Sequence, residues 1–248
     1  MFILTQSSQF ARVLKYKLAE TINFMELNLA EQFLLIAHHT DKKRFVVQGN
    51  QTLLGMIDAM FLDLIENGDI KIENDKIICT TPNSSKSIHP ELFTILESAK
   101  KPRKVKSWIQ RMSHKGNKLK KSLFQNLSTK KYITLERKKF LGIIPYNITG
   151  IINKSSHRAD VSHYKSILLL KKEATKNEQL SMSVLLGSGL MPYLGRDREE
   201  RKNLRKKAKT YKQTSVIGSE VDKAIQHMQA AIAVSIATIA ATSSAIHH

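Results

Sequence analysis

The chain has 248 residues, 42% of them apolar, and a formal net charge of +19. A chain of this length buries roughly 70% of its unfolded surface, enough for one large or two small domains. A single cysteine, Cys79, excludes an internal disulfide, and no short apolar run followed by a small-residue cleavage site reads as a secretory signal, so a cytosolic or cytosol-facing protein is expected.

Residues 1–26 are expected to be an N-terminal extension, a helix docked on the rest. Asn28 with Glu31 three residues on has the spacing of a capping box, and "EQFLLIAHH" behind it reads as a short, buried helix. Leu53, Leu54, Ile57, Met60, Phe61, Leu64 and Ile65 recur at helical spacing, with Gly68 placed to end the helix in a left-handed cap. "DIKIENDKIIC" then reads as two alternating strands about an Asn-Asp turn. This helix-then-hairpin order returns about sixty residues later. Val105, Trp108, Ile109 and Met112 form one helical stripe, Leu119, Leu123 and Leu127 another, and "YITLERKKFLG" repeats the hairpin with Arg137-Lys138 near its tip. After Pro145 the pattern is helical, over about 160–174, 178–190, 197–211 and 218–241. The alanine-rich "AAIAVSIATIAATSSAI" in the last of these is shorter than the roughly 20 residues of a membrane span and reads as a helix packed on the protein. The expectation is one compact, mainly α domain over residues 27–248, carrying two small β-hairpins.

The charge is concentrated. Between Lys100 and Lys139 there are 15 Lys or Arg against one acid, Glu136; between Arg196 and Lys212 there are nine against Asp197, Glu199 and Glu200. The remainder is near neutral. Charge in blocks implies a polyanionic partner: nucleic acid, an anionic membrane surface or an acidic protein tail.

No catalytic constellation is legible, and the chain is read as a non-enzyme without cofactor or metal. His38 and His39 are adjacent, so on a helix they point about 100° apart and cannot share a metal as an i, i+4 pair does. "HPELF" lacks the second histidine of a zinc-protease helix, and "GSG" at Gly187 lacks the preceding strand and following Lys-Ser/Thr of a phosphate loop. Cys79 and Trp108 fall on apolar patterns as core residues.

Binding remains. Helix, helix and two-stranded wing is the order of a winged-helix nucleic-acid reader, but the cations of the presumed second helix are nearly all lysine, suited to phosphate and poor at bidentate reading of guanine. A membrane surface uses the same lysines, each contributing roughly 1 kcal/mol near an anionic leaflet. Lys115, Lys118, Lys120, Lys121, Arg137, Lys138 and Lys139 are the candidate headgroup contacts. Phe140, Leu141 and Ile143 are candidates for membrane or oligomer contact.

"LNLAEQFLLIAHH", "AMFLDLIENGDIKI", "WIQRM", "LFQNLSTKKYITLERKKFLG" and "VLLGSGLMPYL" resemble, in order and spacing, segments of the Golgi phosphoprotein 3 family from about Leu27 onward. The resemblance implies a core helical bundle surrounded by further helices, peripheral binding to the cytosolic face of a membrane, and self-association through the second hairpin. Eukaryotic members recognise phosphatidylinositol 4-phosphate and hold glycosyltransferases, which implies a possible membrane-protein client here. The family's headgroup pocket uses a tryptophan, which falls near Val47 or Gln48, and three arginines, which fall near Ile57, Asn117 and Lys120. Only the last position keeps a cation. The sequence resembles a prokaryotic-type member that keeps charge at the site without the specific pocket.

Overall fold

The computed structural model describes residues 27–47, 49–80, 84–140, 144–214 and Ala230. The expected extension and nearly all of the expected last helix lie outside them. Within them the chain is mainly α with two small antiparallel sheets.

Helix α1 (Leu29–Ala37) begins at the expected capping box: the Asn28 side chain accepts from the Glu31 amide at 2.8 Å and Glu31 reaches back to the Asn28 amide at 3.2 Å. All nine of its residues are buried. Helix α2 (Asn50–Glu66) packs along it. Gly55 is needed there, because a Cβ would sit 2.3 Å from the Phe33 ring. After α2 come β1 (Ile70–Glu73) and β2 (Lys76–Cys79), joined by Asn74 and Asp75 at φ 50° and 60°. Positive φ at both positions makes the tight turn that matches strand twist, as the Asn-Asp pair foretold. Helix α3 (Pro90–Glu97) follows, and a two-residue strand β3 (Arg103–Lys104) widens the hairpin into a three-stranded sheet.

Helix α4 (Val105–Thr129) is a single helix of 25 residues. The sequence suggested two stripes and hence two helices; the structure runs them into one. Between the two stripes lies Gly116, which is buried against Leu53 of α2, where a Cβ would come within 2.4 Å of the leucine side chain. The glycine marks close helix approach and does not end the helix.

The second hairpin also differs from expectation. Its strands are β4 (Ile133–Phe140) and β5 (Ile144–Ile151), paired in register from Ile133 with Ile151 to Phe140 with Ile144. Arg137 and Lys138 are therefore within β4, opposite Asn147 and Tyr146, and Lys139 is opposite Pro145. Phe140 ends the incoming strand, and Leu141 and Ile143 lie outside the described residues. Pro145 was misleading because it reads as a break, yet a two-stranded ribbon has only edge strands, where a missing amide donor is tolerated.

The repeat is visible in the helix ends. Asp69 N donates to Leu64 O and Gly68 N to Ile65 O; 63 residues later Tyr132 N donates to Leu127 O and Lys131 N to Ser128 O. Gly68 and Lys131 both have left-handed φ, 75° and 62°. Both units thus leave the helix through the same cap.

Helices α5 (Lys154–Leu170), α6 (Lys176–Gly187) and α7 (Arg198–Thr214) complete the described fold. α5 starts at Asn153, whose side chain accepts from the Ser156 amide, and α6 at a second capping box, Thr175 with Glu178. α4, α5 and α6 surround the α1–α2 pair, and α7 lies outside α5.

Among the buried polar residues one stands without compensation. Asp58 of α2 is fully buried and neither carboxylate oxygen has a hydrogen-bond partner among the described residues. Burial raises its pKa from 3.8 to about 8, so the side chain is mostly protonated at neutral pH. A raised carboxyl pKa means that the folded state holds a proton the unfolded state releases, so stability falls as pH rises from 3.8 towards 8. Asp58→Leu removes this loss. The stability difference between variant and parent should grow with pH across that window, by at most about 1.4 kcal/mol per pH unit, in urea titrations run at successive pH values.

Candidate functional site

The outer face of α4 is built by helical periodicity. Val105, Trp108, Ile109, Met112, Gly116, Leu119, Leu123, Phe124 and Leu127 are buried, and the charged residues take what remains. At about 100° per residue, Lys115, Lys118 and Lys121 descend one stripe at about 60° intervals, and all three are exposed. Arg111 lies at the same side of the helix, its guanidinium 5.9 Å from the centroid of the Trp108 ring. Trp108 itself is core, 2% exposed.

Lys120 is different. It stands about 100° round the helix from Lys121, is half-buried, and places its ammonium 6.0 Å from the Phe45 ring centroid. That ring stacks on Phe124, centroids 5.8 Å apart and planes 17° apart. Burial lowers the Lys120 pKa. Of the four lysines expected to act together, the structure brings three onto one stripe and turns the fourth against an aromatic pair. The wheel held this signal, since Lys120 lies within one helical turn of Gly116, Leu123 and Phe124.

Helix α4 is followed directly by β4, where Arg137 and Lys138 are exposed. The acid of this region, Glu136, is paired with Lys43. Glu31, the other nearby carboxylate, is 1% exposed and takes Lys130 at 2.7 Å. Lys115, Lys118, Lys120, Lys121, Arg137 and Lys138 form no ion pair with an acid among the described residues, and Lys138 adds to the field that lowers the Glu136 pKa. Side chains of Lys139 and Phe140 lie outside the described set, as do Leu141 and Ile143 entirely.

Two of the positions where the resembled family carries its headgroup tryptophan and first arginine can be placed. Val47 is half-buried, its carbonyl accepting from Thr52 Oγ1 at 2.7 Å. Ile57 is completely buried in the core. A charged side chain could not stand at Ile57 without repacking α2.

No group of three or more His, Cys, Asp or Glu is placed to hold a metal among the described residues. His38 and His157 are both structural. His38 Nδ1 lies 2.9 Å from the His39 carbonyl, and Nε2 lies 3.0 Å from the Thr149 carbonyl and 2.9 Å from its hydroxyl; His157 Nε2–H donates to Leu35 O at 2.7 Å and Nδ1 accepts from the Thr40 hydroxyl at 2.9 Å. Burial lowers both pKa values.

The described residues therefore form a mainly helical protein that presents an unneutralised row of lysines on its longest helix, with no helix long and apolar enough to cross a membrane among them. The family model for Golgi phosphoprotein 3 (GPP34) matches residues 29–228, and the chain belongs to that family. The match runs from the first residue of α1 to beyond the end of α7. No curated protein is similar enough to be matched to the chain.

The two kinds of lysine separate in a stability measurement. Lys120→Glu presses a carboxylate against the Phe45–Phe124 stack and should cost about 1–3 kcal/mol. Lys118→Glu changes an exposed position and should stay within about 0.5 kcal/mol of the parent, both read by urea denaturation.

Proposed function

We propose that the protein is a non-enzymatic, peripheral membrane protein that binds anionic phospholipid headgroups through α4 and the β4–β5 ribbon. The observation that carries this reading is the set of exposed cations, Lys115, Lys118, Lys121, Arg137 and Lys138, none of them in an ion pair with an acid among the described residues. Five such charges held near an anionic leaflet contribute roughly 5 kcal/mol, enough for reversible docking. Membership of the Golgi phosphoprotein 3 family supports the same reading. Phe140, Leu141 and Ile143 supply the apolar contact, with the bilayer or with a second copy. A membrane-protein client with an acidic tail is the further partner this surface suits.

Replacing Lys115, Lys118 and Lys121 together with Glu should abolish co-sedimentation with anionic liposomes while the circular dichroism spectrum stays unchanged; a folded triple variant that still binds removes the assignment. Random duplex DNA at the same salt is the control, and stronger retention of the parent protein on DNA than on liposomes favours a nucleic-acid partner instead. With Ile57 buried where an arginine would be needed, phosphatidylinositol 4-phosphate should not be preferred a hundredfold, about 2.7 kcal/mol, over other acidic lipids at equal surface charge.

Phe140→Ser tests the apolar contact. The expected result is a nearly unaltered melting temperature with weaker liposome binding or smaller mass by light scattering. A large drop in melting temperature with mass and lipid binding unchanged would mean that Phe140 serves only its own domain's core.

A further inference from the structure

A cleft of about 730 Å³ opens on a different part of the molecule, between the loop that follows α1, helix α5 and the start of α7. Its volume is that of a small-molecule site. Its inner wall is apolar, with Ile36, Phe45, Val161, Leu169 and Leu194. Its rim is cationic: Lys42 and Arg44 from the loop, Arg158 and Lys165 from α5, Arg196 and Arg201 from the approach to and first turn of α7. None of the lysines of α4 lines it.

Two acids, Asp41 and Glu200, share this rim, and both are already committed. Asp41 takes Arg158 at 2.6 Å. Glu200 takes Lys165 at 2.7 Å and Arg196 at 3.3 Å. Burial opposes ionisation of Glu200, yet the hydrogen bonds from Lys165 and Arg196 hold its pKa down at about 2. Lys42, Arg44 and Arg201 face no carboxylate among the described residues, and Arg201 spends only its Nε, on Gly195 O at 3.0 Å. The charge is felt locally: burial and then Lys42 lower the pKa of His39, Asp41 opposes them, and Arg44 adds a smaller lowering.

The loop is held in place before any ligand arrives. His38 and Phe45 pair as a β-bridge, Val46 N donates to Ala37 O at 2.8 Å, and Thr40 is tied to His157 of α5. Inside the loop, the Asp41 and Lys42 amides both donate to His39 Nδ1 at 3.2 Å. Such a fixed frame lowers the ordering cost of binding.

We propose that this cleft is a second anion site, and that it takes a phosphate monoester bearing an apolar chain. The guanidinium groups of Arg44 and Arg201 suit the planar, bidentate recognition of phosphate oxygens. The apolar wall requires more than phosphate, because an inorganic ion would leave Ile36, Leu169 and Leu194 unused and the cleft mostly water-filled. This site stands apart from the headgroup surface on α4, and its ligand can be either a lipid still in its bilayer or a soluble phosphorylated compound.

Isothermal titration of the full chain with hexyl phosphate, inorganic phosphate and hexanol tests the site. Hexyl phosphate should bind at least tenfold more tightly than either of the others. The double variant Lys42→Ala/Arg44→Ala and, separately, Arg201→Gln should each weaken hexyl phosphate at least tenfold; the exposed position of all three side chains leaves the fold intact, which circular dichroism checks. The Lys115, Lys118, Lys121 triple Glu variant should bind hexyl phosphate within twofold of the parent. Equal affinity for hexyl and inorganic phosphate overturns the proposal, as does undiminished binding by both cleft variants or an equal loss in the α4 variant. Vesicles of phosphatidylcholine with phosphatidic acid, offered to the α4 variant, identify the source. Competition between vesicles and hexyl phosphate assigns the site to a lipid, whereas hexyl phosphate binding without competition assigns it to a soluble phosphate ester.

Discussion

A helix buried along its whole length has no water to satisfy its ends, and α1 is such a helix. Everything around it is arranged to supply the missing partners. At its start, both oxygens of Asp63 in α2 are used: Oδ1 accepts from Leu29 N at 2.8 Å, and Oδ2 accepts from Ala30 N at 3.0 Å and from His89 Nε2 at 2.8 Å. One carboxylate thus ties together the first turn of α1, the body of α2 and the residue that precedes α3. At its end, Leu35 O accepts from His157 of α5 and Ala37 O from Val46 of the following loop. A negative group at a helix start is favoured by the helix dipole as well as by hydrogen bonding. The demand of a single buried helix therefore fixes α2, α3, α5 and the loop that lines the cleft.

Local chemistry was readable where the cause was local. The capping box at Asn28, the Asn74-Asp75 turn and the Gly68 cap each depend on residues a few positions apart, and each stands where the sequence put it. The mainly helical class with small hairpins followed from the same signals. Errors arose where one residue had two possible meanings. Gly116 could end a helix or let two helices approach, and only Leu53, which is far off in sequence, decides between these. Pro145 could begin a helix or close a ribbon, and its partner Lys139 decides that.

The same distinction separates the candidate sites. The lysine stripe of α4 was visible because helical spacing alone defines it. The role of Lys120 was not, since the aromatic pair beneath it joins residues 45 and 124. The cleft was invisible as a cleft: its rim draws on residues 42, 44, 158, 165, 196 and 201, of which only 196 and 201 stood in a charge block legible in the sequence. Phe45 belongs to both places, lining the cleft and also lying beneath the Lys120 ammonium.

The contact of Leu53 with Gly116 also has a meaning in terms of symmetry. The two residues are separated by 63 positions, the same interval that carries one helix cap onto the other, so equivalent points of the two helix-and-hairpin units touch each other. Equivalent points meet in this way when two copies are related by a half-turn, at the axis itself. At that place a perfectly symmetric pair has no good solution, because two leucines collide and two glycines leave a hole. A large residue opposite none at all resolves the conflict, and it does so in only one direction. The unit that donates the knob and the unit that accepts it cannot be exchanged, so the lysine-bearing helix is bound to the accepting half.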